Sequence, residues 1–294
     1  MILKSNAISP SKAIGIVYSR DLRKLVKAMI KDYKSLIDIY RDKKSQLSLD
    51  ADESKVPSKV VVGTWLTTEI QERLASLGKK WEKKFLEAAE YMSPVVVKRM
   101  LKANDTQIKR ALIHFYSEQR LELIGNVIPT SLKQIMKAHI NENANMIKSI
   151  QAKFREQVEG SVWRSITNRG SIASLKDDLV KYGVKTEERA NLIALDQTRK
   201  MYSNMTLERF KQVGVRKAMW LHTHGGKTVR PYHYRRWDGV SGLKDGHPNG
   251  LNRFIFDVDK PPVIQEATKN QKEIRGYPAE LPFCTCAMAA VFEE

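Results

Sequence analysis

Apolar side chains recur every three or four residues through most of the first 215 positions, which is the spacing of a helix with one buried face. The clearest stretch follows Asp21, where Leu22, Val26, Met29 and Tyr33 alternate four- and three-residue steps. A seam of this kind is typical of a helix that packs along another helix. The pattern predicts helices over about 21–40, 68–92, 94–103, 105–123, 129–158, 171–182 and 186–213.

Proline, glycine and small polar residues set the expected ends of these helices. Pro94 disfavours a helical conformation at the residue before it, so one helix is expected to end there. Asn104 and Thr186 are expected N-caps, because their short side chains can accept a hydrogen bond from a first-turn N–H group. Gly183 and Gly214 are expected C-caps.

Two segments show no period. Residues 1–19 contain serine, proline and glycine and predict an arm, while residues 41–63 mix charges, serines and a proline and predict an exposed loop or hinge. After residue 214 the helical period stops, and 218–221 and 254–258 read as short strands between glycine-rich loops.

These elements predict an α+β protein with long helices over about 1–215 and a small C-terminal β-containing domain. The predicted division has three parts. Residues 1–63 form an N-terminal arm, helix and flexible loop, residues 64–215 form a helical domain, and residues 216–294 form a small α+β module.

The net charge of +18 changes the picture of the partners. A dispersed positive excess favours a polyanion such as double-stranded DNA, because each cation on a phosphate releases counterions. An acidic protein surface fits the same charge equally well. No apolar run approaches the roughly 18 residues that a membrane span needs, so no membrane partner is expected.

The C-terminal module carries the distinctive chemistry. Cys284 and Cys286 are the only cysteines, and a pair one residue apart cannot staple a fold of 294 residues, so they read as reduced thiols or metal ligands. Alternate residues of a strand share a face, so His222 and His224 could point the same way. Two such strands side by side would offer two imidazoles and two thiolates, a common structural zinc set.

His233 and His247 are further candidate ligands from the intervening loop. The alternative is that both cysteines are small buried residues of a terminal strand and bind no metal, so no cofactor is certain. His114 and His139 lie on or beside apolar helix faces and are expected to be core or interface residues.

A hydrolytic site is a different reading of the same residues. Metal-activated water needs an open coordination position and a nearby carboxylate, for which Asp238 and Asp245 are available. A cysteine nucleophile with His233 as base is also conceivable. Neither carboxylate lies in a recognised metalloprotease spacing, and no Walker loop or nucleophile elbow is present, so we expect no catalytic activity.

Several blocks together resemble the phage Mu F-like family of minor head (head morphogenesis) proteins. Their order and spacing over residues 127–294 carry the resemblance, since each block alone is weak. The blocks are 189–198 (similar to RAxLIARDQT), 213–215, Arg230 to His233 with 237–239 (similar to RPxH…xxG), 261–262, 275–278 and 284–286. The positions that match the family motifs are Asp196, Gln197, Arg230, His233, Gly239, Cys284 and Cys286.

The resemblance implies a virion component inside the capsid near the portal vertex, present in the host cytoplasm during assembly. It implies the portal protein, capsid or scaffolding proteins and double-stranded DNA as partners, with a role in head morphogenesis and in genome packaging or ejection. Arg230 and His233 stand where some relatives have a Cys-x-x-Cys pair, so only part of a four-cysteine zinc site is present. A metal-dependent, toxin-like nucleic-acid-processing enzyme and an internal DNA-coating protein are the alternatives.

Overall fold

The computed structural model describes residues 2–49, 59–167, 172–223, 250–265 and 272–293, together with Arg230 and His233. Within these ranges it has five helices and six strands, and this composition confirms the predicted α+β class. The helices are α1 (Lys12–Leu49), α2 (Lys59–Leu112), α3 (Glu118–Asn126), α4 (Thr130–Thr167) and α5 (Ile172–Gln212). The strands are β1 (Ile2–Lys4), β2 (Lys217–Leu221), β3 (Ile255–Asp257), β4 (Val263–Gln265), β5 (Ile274–Arg275) and β6 (Ala287–Glu293).

Contacts divide the chain into two compact units. Unit 1 comprises Met1–Tyr18, Ser93–Glu142 and Ala194–Glu294, and unit 2 comprises Ser19–Met92 and Asn143–Ile193. Each of the four long helices has residues in both units. The predicted domains, 1–63, 64–215 and 216–294, stay a prediction from the sequence pattern. Among the helices of the described residues, none is long and apolar enough to span a membrane.

The core of unit 2 follows the apolar period of the sequence. Leu22, Val26, Met29 and Tyr33 of α1 are each at most 1% exposed. The Tyr33 ring packs edge-on against Phe154 of α4, with ring centroids 5.3 Å apart. Burial of each such side chain contributes about 1.5–3 kcal/mol, so this stripe holds α1 and α4 together within unit 2.

The predicted break at Pro94 is wrong. α2 runs without interruption from Lys59 to Leu112 with Pro94 inside it. Proline removes one backbone hydrogen bond from a helix. In the residues that follow it, Val96, Val97 and Met100 are buried, and their packing outweighs that local cost.

The predicted N-cap at Asn104 is also wrong, because this residue lies inside α2. Its side chain is fully buried in unit 1. The amide Nδ2 donates to Thr206 Oγ1 of α5 at 2.7 Å. Asn104 therefore joins two helices through a buried polar contact, a role that its residue type alone does not distinguish from capping.

The predicted boundary at Gly183 and Thr186 is wrong, because α5 is continuous there. The Thr186 hydroxyl donates to the Tyr182 carbonyl at 2.7 Å, a bond to the preceding turn that is compatible with a helix interior. A Cβ atom at Gly183 would lie 3.2 Å from Ile30 Cδ1. The glycine thus permits a close approach of α1 instead of ending a helix. The C-cap at Gly214 is confirmed by its φ of +76°.

The predicted arm and loop are shorter than expected. α1 begins at Lys12 and reaches Leu49, and α2 begins at Lys59, so most of segment 41–63 is helical where it is described. Residues 50–58 lie outside the described residues. Near the N-terminus, Ile2–Lys4 form β1, and Ile8 is 2% exposed.

The sheet of unit 1 has the strand order β1-β6-β2-β3 with antiparallel pairing throughout. β2 and β3 confirm the strands predicted at 218–221 and 254–258. β6 pairs with β2 from Lys217 opposite Val291 to Leu221 opposite Ala287. Ala218 and Trp220 point into the core, each with no exposed surface. β4 and β5 form a separate antiparallel pair.

Candidate metal centre of the C-terminal segment

The register of β2 and β6 brings two predicted ligands together. Leu221 pairs with Ala287, so the next position along each strand is His222 on one side and Cys286 on the other. His222 Nδ1 lies 3.4 Å from Cys286 Sγ. The His222 backbone N–H donates to Asn252 Oδ1 at 3.3 Å, which positions the residue just after the strand.

His233 contributes a third group from outside the sheet. It is 2% exposed, and its ring meets the Trp220 ring edge-on with centroids 5.2 Å apart. His233 Nδ1 lies 3.7 Å from Cys284 Sγ and 3.8 Å from Cys286 Sγ. On the other side of the ring, Nε2 lies 3.0 Å from the Ile264 carbonyl oxygen.

The Ile264 carbonyl assigns the tautomer of His233. A carbonyl oxygen can only accept, so Nε2 carries the proton and donates it. In the neutral ring, which is the form that binds a metal, Nδ1 presents its lone pair to the two sulfurs. A ligand histidine commonly donates its second N–H to a carbonyl in this way, which fixes the ring for coordination.

The loop that carries the cysteines is held at three points. The Cys284 N–H donates to the Leu281 carbonyl at 3.0 Å. The Phe283 N–H donates to Asp196 Oδ1 of α5 at 3.0 Å, and Phe283 itself has a φ of +63°. Arg230 Nη2 donates to the Pro282 carbonyl at 2.9 Å. A strained residue persists only where its surroundings fix it, and here Asp196 supplies that contact.

The two thiols differ in their electrostatics. A hydrogen bond from Cys286, together with the charged form of His233, lowers the pKa of Cys284 to about 4 against the effect of burial. The same interaction with Cys284, together with burial, raises the pKa of Cys286. The opposite directions of the two pKa shifts favour the thiolate form at Cys284, with the Cys286 thiol as its hydrogen-bond donor. A thiolate is the form of cysteine that binds a metal.

Arg199 of α5 adds a positive charge near this thiolate. Burial lowers the pKa of Arg199, while the charges of Asp196 and Cys284 oppose that shift. The motif block 189–198 lies within α5 and ends just before Arg199, so the resemblance did not identify this residue. Its signal in the sequence was only its position one turn after Asp196.

The donor atoms fit a tetrahedral ion. Zn–S bonds of about 2.3 Å and Zn–N bonds of about 2.05 Å place sulfur and nitrogen about 3.6 Å apart at the tetrahedral angle. The observed nitrogen–sulfur distances are 3.4, 3.7 and 3.8 Å. The ligand atoms of His233, Cys284 and Cys286 all lie within 4.8 Å of one another, and this cluster of three could hold a metal ion. His222 adjoins the cluster through its 3.4 Å distance to Cys286 Sγ.

The other predicted residues have different surroundings. Gln197 is buried in unit 1 and donates to Glu142 Oε1 at 3.1 Å, so it takes no part in the cluster. His224 and Gly239, like His247, Asp238 and Asp245, lie outside the described residues. His139 is buried, as predicted, and its Nε2 lies 3.2 Å from Asn204 Nδ2. His114 is exposed and therefore not a core residue, so its role at an interface stays a prediction.

Comparison with known proteins gives one partial likeness. The chain is 35% identical over 79 residues to a protein of Haemophilus influenzae (strain ATCC 51907 / DSM 11121 / KW20 / Rd) described as uncharacterized. The match covers 26% of this chain and 17% of the length of that protein. No family model matches the chain, and no solved structure matches it.

Proposed function

We propose that this protein is a minor head protein of a phage. It binds the portal vertex and packaged double-stranded DNA inside the capsid, together with capsid or scaffolding proteins, and acts in head morphogenesis and in genome packaging or ejection. The observation that carries the proposal is the meeting of distant motif residues around one loop.

Those residues come from separate parts of the chain. Asp196 and Arg230 each bond the backbone of segment 282–283, and His233 contacts both cysteines beyond it. Residues from separate motif blocks thus contact the same loop, residues 282–286. The resemblance is supported by this joint use, because chance matches spread over ninety residues would have no reason to converge.

A structural role for the cluster fits better than a catalytic one. His233, Cys284 and Cys286 are 2%, 4% and 3% exposed. A catalytic zinc site keeps an open position that water and substrate reach, whereas a structural site is closed by protein ligands. We therefore propose that the protein has no catalytic turnover.

We further propose that His222, His233, Cys284 and Cys286 hold a structural zinc ion. Zinc would link the end of β2, the start of β6 and His233 at one point. In this arrangement Ile264 orients His233, and Asp196 and Arg230 hold the cysteine loop in place. The lowered pKa of Cys284 favours the thiolate form that binds the ion.

The virion role is tested on particles of the phage that encodes this chain. Mass spectrometry of purified mature particles is expected to detect the protein at a copy number tied to the portal's symmetry, and a density map is expected to place it beside the portal. Absence from the particles would refute the proposal. A copy number approaching that of the coat protein would instead indicate the DNA-coating alternative.

The enzymatic alternative is tested with the purified protein. It is incubated with DNA and RNA in the presence of zinc, magnesium or manganese, and no degradation is expected. Cleavage that is lost in both Cys284→Ser and His233→Ala, but retained in His139→Gln, would establish the enzyme and refute the non-catalytic proposal. His139 is a suitable control because it is an equally buried histidine away from the cysteines.

The zinc proposal has its own readout. Elemental analysis of freshly purified protein is expected to give about one zinc per chain, falling to about zero in Cys284→Ser and unchanged in His139→Gln. Free thiols in the native wild type are expected to resist modification until a chelator is added. A metal-free wild type, or a variant that keeps its zinc, would contradict the four-ligand set.

A further inference from the structure

A cleft of about 640 Å³ in unit 1 is lined by positive and hydroxyl groups. One wall is the segment that leads into α1, with Ser9 and Ser11. The other wall is α2, with Arg99, Lys102, Thr106 and Arg110. No aspartate or glutamate lines the cleft.

The other described clefts differ in their charge. One in unit 2 carries Lys27, Lys31 and Lys34, but Asp38 and Glu187 line it as well. Lys27 pairs with Glu187 at 3.8 Å. Two more clefts of unit 2 are lined by two or three glutamates each. Of these four clefts, the cleft of unit 1 is the one lined by cations without acids.

The cations of this cleft are available to a ligand. Arg99, Lys102 and Arg110 are exposed, and none of them forms an ion pair with a carboxylate of the described residues. They recur on one face of α2, since positions 99, 102, 106 and 110 are three or four residues apart. At 1.5 Å per residue, the row from Arg99 to Arg110 is about 16 Å long.

We infer that this cleft binds the phosphates of one strand of double-stranded DNA. Guanidinium, ammonium and hydroxyl groups are the side-chain donors that contact DNA phosphates. Phosphates of one strand advance about 3.4 Å along the duplex axis and also turn around it, so a straight row of about 16 Å faces only a few of them at once. Three cations and the Thr106 hydroxyl can therefore engage the few phosphates at which one strand passes the row.

Recognition of this kind is independent of base sequence. Phosphate contacts fix the position of a protein on the duplex but carry no direct sequence information. Sequence independence suits packaged DNA, which presents every sequence of the genome. The inference rests on the DNA-binding part of the proposed function and gives that part a location.

An acidic protein fits the cleft less well. Protein interfaces depend on a few large apolar or aromatic anchors in a central pocket. The lining of this cleft contains no aromatic residue, and its side chains are mainly cationic or hydroxylic. A row of charges with flanking hydroxyls matches a regular phosphate backbone better than the irregular surface of a folded protein.

The test compares two triple variants that lose the same charge. The first is Arg99→Gln, Lys102→Gln and Arg110→Gln, and the control is Lys27→Gln, Lys31→Gln and Lys34→Gln. Binding to a short DNA duplex is measured by fluorescence anisotropy over a range of salt concentrations. Each lost phosphate contact reduces the slope of log affinity against log salt by about 0.9, so the first variant is expected to lose about 2.7.

The control is expected to keep the wild-type slope and an affinity within about twofold. If both variants lost the same amount of slope and affinity, the cleft would not be the DNA site, although the protein would still bind DNA. A wild type that binds no duplex would overturn both the cleft and the DNA part of the proposed function, and particle analysis would still decide the virion role. Polyglutamate that competes as well as duplex would overturn the assignment to phosphate.

Folding is checked in the same samples. Urea unfolding of both triple variants is expected to match the wild type, because all six side chains lie at the surface or are half-buried there. If the first variant is unstable, the single variant Arg110→Gln is used, with an expected slope change of about 0.9. An unchanged slope in that variant would overturn the contact at Arg110.

Discussion

Arg209 is a fully buried guanidinium with a complete set of partners. Nε and Nη2 donate to the two carboxylate oxygens of Asp105 at 2.7 and 2.9 Å, and Nη1 donates to the Val127 carbonyl at 2.7 Å and to Gln212 Oε1 at 2.6 Å. One side chain thereby joins α2, the end of α3 and α5 within unit 1. Planar, two-pronged pairing of this kind is available to arginine and not to lysine.

Replacement of Arg209 by methionine is expected to destabilise the protein by about 3–5 kcal/mol, because Asp105 would be left without its buried partner. Burial raises the pKa of Asp105, while the bonds from Arg209 lower it. In the variant this pKa rises further, so the loss should shrink at acidic pH, where the carboxyl is neutral. Urea unfolding at neutral and acidic pH measures both effects. A cost below about 1 kcal/mol would contradict the argument.

The pKa of Glu142 is shifted in the opposite direction to that of Asp105, so its charged form stabilises the fold. The His139 imidazole, whose Nδ1 lies 3.7 Å from Glu142 Oε2, lowers the pKa of Glu142 from 4.5 to about 2, with help from Gln197 and Lys200 and against the effect of burial. A lowered folded-state pKa contributes stability above the unfolded value and loses it as pH falls towards the folded value. The difference in unfolding free energy between wild type and Glu142→Gln should therefore be largest near neutral pH and shrink between about pH 4.5 and 2. A difference that does not change with pH would contradict this account.

Single residues also differ in how well their roles can be predicted from the sequence. His233, Cys284 and Cys286 were recognisable as candidate ligands because the chain has only two cysteines and six histidines, and four of those histidines precede the cysteine pair in the C-terminal segment. Arg209 was not recognisable, since one arginine among 51 basic residues looks like surface charge. Its role depends on contacts with residues about a hundred positions away, and no local pattern records those contacts.

Whole elements were predicted well in type and less well in extent. The apolar period identified the helices because it reports a buried face directly. Their ends were misjudged at Pro94, Gly183 and Thr186, where local preference is worth only about 1–3 kcal/mol and burial on both sides outweighs it. β6 was not assigned bounds, since Ala287, Met288, Ala289 and Ala290 form a continuous buried run without the alternation that marks a strand.

Pro94 offers a test of that balance within α2. Pro94→Ala restores one backbone N–H bond and removes the clash of the ring with the preceding turn. The variant is expected to be more stable by about 1–2 kcal/mol, because the greater freedom of the unfolded chain offsets part of the gain. Urea unfolding is the measurement, and Lys98→Ala on the exposed face is the control, expected within about 0.5 kcal/mol of wild type. A loss of stability would mean that the packing around Ser93 requires the proline.

At the scale of the whole molecule, the net charge predicts polyanionic partners but not the surface that binds them. A charge of +18 favours polyanions, but it does not say where they bind. The cleft of unit 1 emerges only because the segment from Ser9 to Ser11 folds beside α2, and that segment had been expected to be an arm. Its position follows from the pairing of β1 with β6 and from the bridge of Ile8 with Met288.

The proposed zinc ion should affect the stability of the entire fold. An ion that binds only the folded state raises the unfolding free energy according to its concentration and affinity. Addition of a strong chelator is expected to lower the thermal midpoint of the wild type by about 5–10 °C. Cys284→Ser should have a lower midpoint from the start and show no further response to the chelator. Equal responses of the two proteins would refute a stabilising ion at this site.

The pairing of β1 with β6 has a consequence for folding on the ribosome. β1 is translated long before β6, so the sheet of unit 1 stays incomplete until residues 287–293 have been translated. Until then β2 lacks its partner β6, and Trp220 lacks the neighbour Met288 across the strands. By contrast, every residue of unit 2 has been translated by position 193. A polypeptide that ends before β6 should therefore aggregate instead of folding completely.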